Sequence, residues 1–65
     1  MKRITILIPV SQADAVAQWL FEQTIKVLLS FSQDEFFDSK VRIICGVPDE
    51  KVTEFQTKFS SQIKN

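Results

Sequence analysis

Between Thr24 and Val47 the chain alternates apolar and polar positions with period two, in two separate runs. Ile25, Val27, Leu29 and Phe31 alternate with Lys26, Leu28, Ser30 and Ser32, and Val41, Ile43, Cys45 and Val47 alternate with Arg42, Ile44 and Gly46. Period two marks half-buried strands, so two strands joined by a hairpin are predicted. A single long helix running on through Leu29 or Ser32 is the competing reading. The cluster of β-branched residues Thr24, Ile25 and Val27 favours the strand. Gln33 to Lys40 is polar apart from Phe36 and Phe37, lacks glycine, and is read as a wide loop or a connection carrying a helical turn.

Upstream, Lys2 to Val10 reads as a first strand, with Ile4, Ile6 and Ile8 on one face and Thr5 and Leu7 on the other. Pro9 lacks an N–H and belongs at the strand end. Ser11 with Asp14 three residues on resembles a capping box, opening a helix over about Gln12 to Gln23. Its apolar stripe is Ala13, Val16, Ala17 and Leu20, flanked by Trp19 and Phe21. Downstream, Pro48-Asp49-Glu50 suits a helix start, and Val52, Phe55, Phe59 and Ile63 form the stripe of a last helix. Lys64-Asn65 is expected to fray.

The order is strand, helix, strand, strand, helix. It predicts one α+β domain over residues 1–65. The fold is a βαββα half-open ferredoxin-like sandwich, with a three-stranded antiparallel sheet and two helices on one face. The expected core face is Ile4, Ile6, Ile8, Ile25, Val27, Leu29, Val41, Ile43 and Cys45. Right-handed crossovers put both helices there. The first strand is left with an open edge.

Two pieces of the chain resemble the PII/CutA-like group of ferredoxin-like proteins. One is Arg3-Ile-Thr-Ile-Leu-Ile-Pro9 leading into Ala15-Val-Ala-Gln-Trp-Leu20. The other is Val41-Arg-Ile-Ile-Cys-Gly-Val47 followed by Pro48-Asp-Glu-Lys-Val52. The resemblance implies the fold and a tendency to form trimers. PII proteins carry a long loop between the second and third strands, and Gln33 to Lys40 is far shorter. Their nucleotide-binding glycines and basic residues have no counterpart here. The resemblance therefore implies no ATP, 2-oxoglutarate or copper binding.

Composition narrows the chemistry. A chain of 65 residues buries only about 60% of its unfolded surface, so packing or a partner subunit must supply stability. One cysteine and no histidine rule out an internal disulfide, an ordinary zinc site and a Ser-His-Asp arrangement. A single glycine leaves no phosphate-cradling loop. These points argue against an enzyme and against any cofactor. Lysine plus arginine and aspartate plus glutamate balance at 8 each, which speaks against binding nucleic acid or membrane by bulk charge. The apolar run Ile4 to Val10 is too short for a membrane span and lacks a cleavage site of signal-peptide type. A free cysteine fits a cytoplasmic setting.

Several residues are weighed as sites. Cys45 has no histidine to activate it and reads as a buried apolar side chain. Asp34, Glu35 and Asp38 lack calcium-loop spacing and read as a solvated loop. Arg3, Lys26, Lys40 and Arg42 form a candidate basic patch for nucleic acid on the open sheet face, without aromatics interleaved. Leu7, Leu28 and Ile44 are expected to point outward on adjacent strands as a subunit interface, and Phe36 and Phe37 to meet a partner protein. The function expected is a small homo-oligomeric regulatory or adaptor protein, a trimer first and a dimer next. A nucleic-acid-binding module, or a small inhibitor docking on a larger enzyme through the Phe36-Phe37 loop, are the alternatives.

Overall fold

The computed structural model describes residues 1–35 and 38–64. In chain order these form β1 (Lys2–Pro9), α1 (Ala13–Glu22), β2 (Lys26–Glu35), β3 (Asp38–Val47), α2 (Val52–Lys58) and β4 (Ile63–Lys64). Short 3-10 turns over Val10–Gln12 and Asp49–Lys51 lead into the two helices, each directly after a proline. The fold is α+β, with two helices and a four-stranded antiparallel sheet in the order β2-β3-β1-β4.

Strand alternation sorts the sheet into two faces. Ile4, Ile6 and Ile8 of β1 pair with Cys45, Ile43 and Val41 of β3. With Val47, the buried members of this set meet Val16 and Leu20 of α1, Phe55 of α2, and Phe59 just beyond it. Both helices thus cover this face. The other face carries no helix. Trp19 sits at the seam of the helices, its ring 5.5 Å from that of Phe59 in an edge-on arrangement and 6.3 Å from that of Phe55. Lys58 covers the Trp19 ring from solvent at 4.9 Å.

The first helix ends in a way that composition does not announce. Ile25 N–H donates to the Leu20 carbonyl at 2.9 Å, and Thr24 N–H to the Phe21 carbonyl at 3.0 Å. These are the two bonds of a Schellman cap, and its accompanying apolar contact is Leu20 with Ile25, both buried in the core. The residue that must turn left-handed is Thr24, with φ 58°. The C-terminal end of α1 is also tied across the fold, because Lys51 Nζ donates to the Gln23 carbonyl at 2.5 Å.

Five expectations are corrected. The sheet has four strands, not three: Ile63 and Lys64 leave the last helix and pair with Ile6 and Thr5, so this part of the β1 edge is not open. Leu7 N–H, next along that edge, donates to the Gln62 carbonyl at 2.9 Å. The hairpin strands run further than read, to Glu35 and from Asp38, so the supposed loop residues Asp34 and Ser39 are a strand pair. No side chain caps α1: its N-cap is Gln12, and the Ser11–Asp14 box does not form. Ala17 is exposed rather than part of the helix stripe.

The last correction concerns β2. Its register with β3 shifts between Val27 and Leu29, leaving Leu28 as an extra residue. A bulge of this kind reverses the parity of everything beyond it. Val27 still pairs with Cys45, but Leu29 pairs with Ile44 and Phe31 with Arg42. Leu29 therefore lies on the helix-free face, not in the core, and is 53% exposed.

Candidate functional site

The helix-free face is laid out by register as four rows crossing the strands, with a fifth, Glu35 opposite Asp38, at the hairpin end. Arg3, Gly46 and Lys26 form the first, and Lys64, Thr5, Ile44 and Leu29 the second. Leu7, Arg42 and Phe31 make the third, and Pro9, Lys40 and Gln33 the fourth. Rows are two residues apart, so the platform measures roughly 20 Å along the strands by 15 Å across them. Gly46 in the first row is overlain by the Met1 side chain, whose sulfur would lie 2.7 Å from an added Cβ.

The residues expected at an interface are placed as follows. Leu7 is on this face but only 8% exposed, and it belongs to no part of the core cluster. Ile44 is half-buried between Thr5 and Leu29. Leu28 is the bulged residue and is 39% exposed. Phe36 and Phe37 lie outside the described residues. All four members of the candidate basic patch, Arg3, Lys26, Lys40 and Arg42, do share the face.

Three members of the face escaped sequence reasoning. Leu29 and Phe31 arrive through the bulge, and Phe31 is 43% exposed. Lys64 arrives through β4. A signal for the first two was present: Val27-Leu28-Leu29 is three apolar residues in a row, which strict alternation cannot accommodate. For Lys64 there was none, since a two-residue strand has no period.

The charge distribution differs from the charge total. Of the eight lysines and arginines, Arg3, Lys26, Lys40, Arg42 and Lys64 lie on the helix-free face. Of the eight acids, Asp14, Glu22, Asp49, Glu50 and Glu54 lie on the helices and the turn before α2. At the hairpin end Asp38, paired in register with Glu35, lies on the helix-free face one row beyond Lys40. Net charge zero thus hides an uneven layout, with five cations and Asp38 at its hairpin end on the sheet face, and five acids with Lys51 and Lys58 in the helical layer. None of the five cations makes an ion pair among the described residues, where the one such contact is the N-terminal ammonium with Asp49 at 3.2 Å. Arg42 Nε donates to Gln33 Oε1 at 2.7 Å, which orients the guanidinium and leaves its terminal nitrogens for other acceptors.

Comparison with family models, with curated proteins and with solved structures yields no match. The site therefore has to be read from its own chemistry. Cys45 is fully buried beneath the helices, and desolvation pushes its thiol up to about 11, the opposite of what a nucleophile needs. Among the described residues no three metal-ligating side chains converge, and no helix is long and apolar enough to cross a membrane. One cleft of ≈ 310 Å³ opens at the hairpin end, lined by Pro9, Val10, Ser11, Asp38, Ser39 and Lys40. It lacks the apolar walls of a typical small-molecule pocket.

Proposed function

We propose that this chain is a small homo-oligomeric regulatory or adaptor protein of ferredoxin-like architecture, working by binding rather than catalysis. The strand order β2-β3-β1-β4, with helices on one face, supports that architecture. The observation that carries the function is the outer edge of β2. This ten-residue strand is terminal in the sheet, and Val27, Leu28, Leu29 and Phe31 on it are 39–53% exposed. Long apolar edges recruit further strands unless they are blunted. Among the described residues this edge is blunted by one bulge and by the charges toward the strand's ends.

Those end charges favour a second copy as the recruit. Lys26 stands at one end of β2 and Asp34 near the other, both exposed. Antiparallel pairing of two β2 edges sets the lysine end of each copy against the acidic end of its partner. The pairing is isologous and gives a dimer, where the family resemblance implies a trimer. It also adds buried apolar area to a chain whose own core is small. Sedimentation equilibrium tests this. Wild type should be dimeric at tens of micromolar, and Leu28→Glu with Leu29→Lys should be monomeric with unchanged circular dichroism. A monomeric wild type at that concentration ends the proposal.

A further inference from the structure

We propose that the helix-free face of the sheet binds single-stranded nucleic acid. The inference does not rest on self-association, because the face is complete within one chain. It begins with the charge partition. Five cations on four consecutive rows roughly 20 Å by 15 Å, with Asp38 one row beyond at the hairpin end and no ion pair to them among the described side chains, present a positive field despite a net charge of zero. Each of the four rows contributes at least one cation: Arg3 and Lys26, then Lys64, then Arg42, then Lys40. Such a layout suits a chain of regularly spaced negative charges better than a single compact anion.

The second element is Phe31. The bulge at Leu28 moves it out of the helix-facing set and places it opposite Arg42, with Leu29 two residues away on the same face. An exposed aromatic ring among cations offers a stacking surface that an acidic protein or a lipid headgroup does not use and a base does. Stacking needs a free base face, which a duplex withholds, so the ligand is single-stranded. Gln33 in the fourth row is joined to the third through Arg42. Its Oε1 is taken by Arg42, and its NH₂ remains to donate to a base edge. The helical layer carries five acids against Lys51 and Lys58, which favours a polyanion on the sheet side.

Fluorescence anisotropy of labelled dodecamers of dT and U with the full chain tests the proposal, titrated from low to physiological salt. Binding is expected, with affinity falling as salt rises. Arg42→Gln should reduce the slope of log affinity against log salt by about 0.7, the share of one phosphate contact on a single strand. Phe31→Ala should weaken binding roughly 5- to 100-fold while leaving that slope unchanged. Lys58→Gln, in the helical layer, should change neither. Circular dichroism confirms that each variant is folded. Absence of binding by the folded wild type at low salt and tens of micromolar protein overturns the proposal. So does binding that Phe31→Ala leaves intact and that duplex DNA, polyglutamate or phosphatidylserine vesicles compete equally, since the face would then be a general anion surface.

Discussion

Replacing Thr24 by glycine should stabilise the protein. Thr24 occupies the left-handed position that closes the Schellman cap of α1, with φ 58°. For an L-residue with a Cβ that conformation costs about 1–2 kcal/mol, and β-branching adds crowding. Thr24 is exposed, so truncating it empties no cavity in the core. The opposing effect is the extra freedom that glycine gives the unfolded chain, about 0.4–1 kcal/mol. The difference is a gain of roughly 0.5–1 kcal/mol. In urea denaturation at 25 °C, with a slope near 1 kcal/mol/M for a chain this short, the midpoint should rise by about 0.5–1 M without a change of slope. Thr24→Ala retains the Cβ and should stay within about 0.5 kcal/mol of wild type. A Thr24→Gly variant no more stable than wild type would mean that the left-handed turn is not strained, or that the cap does not form in solution.

Phe59→Ala should cost about 3–5 kcal/mol in the same assay, because its side chain is buried against Trp19 and Phe55; a loss under about 1 kcal/mol would remove it from the core. Cys45 should make stability pH-dependent on the alkaline side: folding holds its proton up to about 11 while the unfolded thiol ionises near 9, so its contribution is intact below pH 9 and is lost as pH rises toward 11. The stability gap between wild type and Cys45→Ala, measured by urea denaturation at pH 8 and pH 10.5, should therefore narrow at the higher pH, and a constant gap would contradict the burial of the thiol.

Elements with a long apolar period were legible in the chain. β1 with Ile4, Ile6 and Ile8, α1 with Val16 and Leu20, and β3 with Ile43, Cys45 and Val47 form where the periodicity placed them, while α2 keeps Val52 and Phe55 but ends at Lys58, before Phe59 and Ile63 of its expected stripe. What escaped was set by contacts between distant segments. The bulge at Leu28 is a property of the β2–β3 pair, and no local preference of Leu28 specifies it. β4 exists because Ile63 finds Ile6, fifty-odd residues away in the chain, and alone it looked like the end of a helix. The basic patch was half legible: four of its cations were named, but the aromatic ring that gives it chemical meaning was assigned to the wrong set by one residue's offset. Net charge misled because summation discards position.

The extra residue in β2 also changes how this gene can vary. Substitutions at Leu29 or Phe31 alter a surface and leave the core untouched. Loss of the single codon for Leu28 would be different in kind from what a deletion does in a regular strand: it would remove the unpaired residue and leave Leu29 opposite Ile44 and Phe31 opposite Arg42. The platform would keep its ring and its leucine on a straighter edge strand. The bulge is thus a reserve of one residue between Val27 and Phe31. A second loss there, or a gain of one, exceeds that reserve and must shift the pairing beyond it.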